Sequence, residues 1–176
     1  MDFRFRSLTL ATALLGLAGL QSLHAQAPPT DPQIVGIVIA ANTIDINYGN
    51  LALSKTKDKQ VHDFAQQMVT DHSAVQKSVM DLGAKLHVTP ADSATADSLK
   101  KQATETMAKL KGLSGKAFDK AYVDNEVAYH TAVIDAVSKV LIPNAQNAEV
   151  KSALTGAAPL FIGHLEHAKM IQSKMQ

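Results

Sequence analysis

Imidazole and carboxylate side chains recur in this chain where helix packing by itself calls for apolar residues. In the stretch from Asp58 to Leu86, steps of four and three pick out Val61, Ala65, Met68, His72, Val75, Val79, Leu82 and Leu86, the spacing by which one helix face turns toward its neighbours. His72 stands in that face in place of an aliphatic residue. Asp45 does the same in the series Ile34, Val38, Ala41, Asp45, Tyr48, Ala52, and His164 in the series Val150, Leu154, Ala157, Phe161, His164, Ala168, Ile171, Met175. On a fourth face, Glu126 and His130 lie one turn apart among Tyr122, Tyr129, Val133, Val137 and Val140 and point the same way. Imidazole and carboxylate groups on facing helices bind transition metals. His72, His130, His164, Glu126 and Asp45 therefore form a candidate metal site, with iron, manganese or zinc as its first-row occupant. The same residues also suit a buried hydrogen-bond network, with Asp45 and Glu126 accepting from histidines and tyrosines, that fixes helix register. Both readings stay open at this level.

Other groups are weaker candidates. Asp71 points about a quarter-turn from His72 and is suited to orient a histidine on a neighbouring helix. His167 falls on the flank of its stripe, His62 and His87 are exposed or terminal, and Met68, Met170 and Met175 read as packing residues. No serine, histidine and acid stand at a recognisable hydrolase spacing.

Four long helices must position these groups. The first opens at Asp31 and Pro32, capped by Asp31, and runs to about Ser54. After a short polar turn, Asp58 caps the second, which Pro90 closes off. Residues 88 to 115 form a long connection whose lesser helix has one apolar edge, Leu99, Ala103, Met107 and Leu110, and a lysine-rich wet one. Ser114 can cap the third long helix, about 116 to 142, which Pro143 and Asn144 end. The fourth runs from about Asn147 to Lys174, with a kink or restart expected near Gly156 because Pro159 lies inside it. Strand-like alternation and glycine-rich phosphate loops are absent from the sequence. The pattern is all-α, a four-helix bundle with a long, partly helical crossover between the second and third long helices. Counting from the turns at a rise of about 1.5 Å per residue puts Asp45, His72, His130 and His164 within about 12 Å of one another along the bundle axis.

The start of the chain reads as a secretory signal peptide: Arg4 and Arg6, an apolar run from Leu8 to Leu20, and small residues near Ala25, a run shorter than a membrane-spanning helix requires. Cleavage after Ala25 leaves a polar lead, residues 26 to 30, and one domain, residues 31 to 176, with no transmembrane helix. It also removes both arginines and Asp2, leaving a formally neutral chain of 15 lysines and 15 acids. Nucleic-acid binding, which draws on a basic field, is disfavoured. The chain contains no cysteine, which excludes disulfides, thiolate metal sites, a cysteine nucleophile and lipidation at an N-terminal cysteine.

Three segments, FAQQMVTDH at Phe64 to His72, SGKAFDKAYVDNEVAYH at Ser114 to His130 and PLFIGHLEHAK at Pro159 to Lys169, resemble the bacterial family called domain of unknown function 4142. The resemblance covers roughly Asp31 to Met175. It implies an exported protein of the periplasm or the outer membrane, of the kind often labelled an outer-membrane protein, with a ferritin-like helical bundle and no established activity. The family's motif positions fall on Asp71, His72, Phe118, Asp119, Tyr122, His130, Pro159 and His164, and Asp45 stands where the family usually has glutamate. Ferritin-like di-iron proteins use paired Glu-x-x-His elements; this chain has none, Glu126 and His130 being four apart, so a histidine-rich mononuclear site is the better metal version. Two functions follow as expectations: an exported metal-binding bundle, or a non-enzymatic structural or stress-related bundle with an envelope protein partner and a purely structural polar layer.

Overall fold

Thr30 opens the first helix, its backbone N–H donating to Gln33 Oε1 at 3.0 Å, and Pro32 in the first turn holds φ at a helical value. The structure, a computed structural model, describes residues 27–175; the expected signal peptide and its cleavage point after Ala25 lie outside the described residues. Helix α1 spans Asp31–Lys55. Its cap is therefore Thr30 and not Asp31, whose carboxylate accepts the backbone N–H groups of Gln146 and Asn147, each at 2.9 Å. That contact ties the start of α1 to the loop before the last helix.

Asp58 caps α2, Lys59–Lys85, accepting from the backbone of Gln60 at 2.8 Å and Val61 at 3.2 Å. Ser93 caps α3, Ala94–Lys111, through the Ala96 N–H. Helix α4, Gly115–Ala136, follows Ser114, whose side chain makes no capping bond. Where the sequence suggests one uninterrupted helix to residue 142, α4 passes into a π-helical turn, Val137–Leu141, and ends in one more turn, Ile142–Asn144. Asn147 caps α5, Ala148–Ser173. Pro159 does not interrupt α5: it and Thr155 lie on the exposed face, where the carbonyl deprived of its donor meets water. The described residues are all-helical, without a strand, and no helix among them is long and apolar enough to cross a membrane.

Helix α1 packs most extensively on α2, and α4 on α5; contact between the two pairs is sparser, and α3 lies chiefly along α1. The buried side chains divide into two clusters. One gathers Tyr48, Phe64, Met68, Phe118, Tyr122 and Ile171, the other Ile34, Val38, Leu141, Val150, Leu154 and Phe161. The lesser helix α3 contributes Leu110 to the first and Ala96 to the second. Its apolar edge is thus part of the interior and not only an outer strap. The segment after α2 is held against α1 by the Ala91 N–H, which donates to the Pro32 carbonyl at 2.9 Å.

Candidate metal centre

Between the two apolar clusters lies a polar layer. Asn42 and Asp45 enter it from α1, His72 from α2, Glu126 and His130 from α4 and His164 from α5, all of them buried. The imidazole ring centroids of His72, His130 and His164 stand 5.1 to 5.5 Å apart. Asp45 Oδ2 lies 3.2 Å from His72 Nε2 and 3.5 Å from His130 Nε2. The apolar periodicity puts Asp45, His72 and His164 singly, and Glu126 with His130 as a pair, on the inner faces of four helices, and packing brings all five into this layer.

The outer bonds of the three histidines settle where their protons sit. Asn42 donates its amide N–H to the Val38 carbonyl at 2.8 Å, so its Oδ1 faces His72 Nδ1 at 2.8 Å and can only accept. His130 Nδ1 faces the Glu126 backbone carbonyl at 3.1 Å, and His164 Nε2 faces Asp71 Oδ2 at 2.9 Å. Each of these nitrogens must carry the hydrogen. In a neutral imidazole the lone pair is then on the opposite nitrogen, His72 Nε2 or His164 Nδ1, and these atoms, like His130 Nε2, are buried and make no bond of hydrogen-bond geometry. An outward N–H fixed by an oxygen and an inward lone pair is the arrangement of metal-binding histidines.

Charge within the layer follows from burial. His72 is held down to about 3, first by burial and then by His130 and His164; His164 is lowered, again chiefly by burial. Both imidazoles are neutral at pH 7. Burial pushes Glu126 up to about 8, and burial followed by the charge of Glu126 raises Asp45 well above the carboxylate range. Glu126 holds its proton at neutral pH unless a cation replaces it, and Asp45 is shifted in the same direction.

A purely structural network would satisfy its members, since buried polar groups in folded proteins are nearly always paired. Here Asp45 and Glu126 make only loose approaches, 3.2 to 3.5 Å, to His72 and His130, none of them with hydrogen-bond geometry, and His164 Nδ1 has no partner. His72, His130 and His164 can offer one donor atom each within 4.8 Å of one another, and so can Asp45, Glu126 and His130. Each triad, three imidazoles in one and two carboxylates with an imidazole in the other, suits a borderline first-row ion. These buried clusters could hold a metal ion.

The family described as a domain of unknown function (DUF4142) matches residues 18–171 of the chain. The chain belongs to it. No curated protein and no solved structure matches.

The motif positions expected from the resemblance divide between the layer and its surroundings. His72, His130 and His164 supply the three imidazoles, and Asp71, 29% exposed at its side chain, is the group that orients His164. Phe118 and Tyr122 stack in the apolar cluster on the Glu126 side, and the Tyr122 hydroxyl and Asp119 Oδ1 are buried without partners. Pro159 is on the outer face. Two residues of the site escaped sequence reading. Asn42 lies one turn before Asp45 on the same face of α1, a signal available in the periodicity, whereas Phe161, which lies flat on His72 at 5.6 Å, was indistinguishable from ordinary core. His167 stays outside the layer, its Nδ1 on Gln67 Oε1 at 3.0 Å. His62 is exposed and His87 sits at the end of α2 with φ of 54°.

Proposed function

We propose that this DUF4142 protein is an exported, ferritin-like four-helix bundle that holds a first-row transition metal, iron, manganese or zinc, at the centre of its long helices. The observation that carries this reading is the convergence of three inward imidazole nitrogens from three helices, each with its opposite nitrogen held by an oxygen acceptor. His72, His130 and His164 would be the nitrogen ligands, with Asp45 and Glu126 supplying carboxylate oxygens. Such an ion supplies Lewis-acid or redox chemistry when a ligand position is open. The chain's own residues do the positioning: Asn42 and Asp71 hold the outer N–H of His72 and His164, Phe161 covers the His72 ring, and Asp71, partly exposed, links His164 Nε2 to solvent. Export is supported by the basic start, the apolar run from Leu8 to Leu20 and the small residues at Ala25.

Calorimetric titration of chelator-treated protein with zinc, manganese and, anaerobically, ferrous iron tests the metal reading. At least one ion is expected to bind and to raise the melting temperature by mass action. Each single alanine variant at His72, His130 or His164 should lower affinity, and the triple variant should not bind. Titrations without heat, or unchanged in the triple variant, would leave the layer as a structural network of an envelope interaction protein.

A further inference from the structure

Beyond the polar layer, on the side of the second apolar cluster, all five helices wall a cavity of about 860 Å³. Its volume lies within the range of small-molecule sites, about 300 to 1,000 Å³. The walls are mainly aliphatic, with Val75, Leu82, Leu99, Val133 and Leu154 among them, and Asn42, Asp71 and Phe161 close the end that abuts the histidines. The inward faces of α2 and α4 stay only half-buried here: Val75, Val79, Leu82 and Val133 are intermediate in exposure although their stripes are apolar.

We propose that this cavity binds an uncharged, linear apolar molecule with one terminal oxygen, of the fatty alcohol or fatty aldehyde class. From Asp71 to Leu82 on α2, and from Phe161 back to Val150 on α5, the lining spans about 16 Å at the helical rise, room for a chain on the order of ten carbons. The polar end selects the head group. No lysine or arginine lines the cavity, and its one charged side chain, the Asp71 carboxylate, faces His164, so an anionic head meets only repulsion. The Asn42 amide and the Tyr129 hydroxyl are both spent on backbone carbonyls, of Val38 and Ala41. Asn125, also in the wall, has a buried Nδ2 with no partner. That donor is free to bond a neutral oxygen, and the proposal does not rest on a metal.

Titration of the purified protein with 1-decanol and with decanoate, followed by calorimetry, tests it. Decanol should bind one per chain, and decanoate about tenfold or more weakly. Ala157→Phe, which puts a ring into the cavity, should weaken decanol about tenfold, and Asn125→Leu by about threefold to tenfold. On the unaltered protein, decanol should shift the methyl resonances of Val133 and Leu154, a readout independent of whether either variant folds. No decanol binding, methyl shifts confined to residues outside the cavity, or an unchanged affinity in a folded Ala157→Phe protein would overturn the proposal. Equal affinity for decanoate, or an unchanged affinity in Asn125→Leu, would overturn the uncharged head group.

Discussion

Asn42 shows how a residue outside the candidate donor set can orient one of its members. Its amide is anchored on Val38, so its Oδ1 holds the His72 Nδ1 proton and turns the Nε2 lone pair inward. In Asn42→Leu that hold is lost while His72 remains. Metal affinity measured by competition with a chelator is expected to fall about 10- to 100-fold, the usual effect of losing such an orienting group, with the helix content unchanged. The carboxyl groups set a pH dependence that a bound ion removes. In the metal-free protein Glu126, pushed from 4.5 up to about 8, and Asp45, also raised, keep protons that the unfolded chain releases. Their contribution to stability is complete below the unfolded value and is lost as pH rises through the folded one. His72 and His164 are lowered from 6.5, so stability they contribute is lost only as pH falls below that value. Between pH 6.5 and 8 the carboxyl groups decide. Metal-free protein should lose up to about 1.4 kcal/mol per pH unit for Glu126, seen in melting curves, and Glu126→Gln should flatten the slope. Metal-loaded protein should lack this loss, because the ion keeps Glu126 unprotonated in the folded chain as it is in the unfolded one.

At the scale of elements, the approach of the post-α2 segment to α1 depends on a missing side chain. A Cβ on Gly36 would lie 2.2 Å from the backbone oxygen of Ala91, and a backbone atom cannot swing aside as a flexible side chain does. Glycine to alanine inside a helix ordinarily stabilises by about 1 kcal/mol. At Gly36 the clash should reverse the sign, with a loss of about 1 to 3 kcal/mol, whereas Gly163→Ala, which meets nothing within 4 Å, should show the ordinary gain. Denaturant unfolding of the two variants compares them directly; a stabilised Gly36→Ala would mean that the segment after α2 is not held against α1. The π-helical turn at Val137–Leu141 belongs to this scale as well, placing Val137 and Leu141 inside the second apolar cluster while Val140 stays 43% exposed.

Across the whole molecule, two apolar clusters flank one polar layer, and the layer draws on α1, α2, α4 and α5. An ion there would join the α1–α2 pair to the α4–α5 pair, whose mutual packing is the sparser contact. The first described anchoring contacts start at Thr30 and Asp31, beyond the proposed cleavage point. Removal of residues 1 to 25 on export keeps both contacts in the mature chain. Mass spectrometry of protein recovered from the cell envelope is expected to find Gln26 at the N-terminus, and an intact Met1 there would refute cleavage.

Local periodicity and capping chemistry made much of this protein readable without coordinates. Asp58 and Asn147 open the helices assigned to them, and the inner stripes single out Asp45, His72, Glu126, His130 and His164, because which face of a helix turns inward is written in its own spacing. Tertiary structure decided the rest. Which atom of each histidine faces its neighbours depends on Asn42, Asp71 and the Glu126 carbonyl, and so on the rotation of one helix against another, which no single stripe encodes. The cavity behind Asn42 and Phe161 arises the same way: each stripe there is as apolar as a packed core requires, and only the spacing between helices leaves it open.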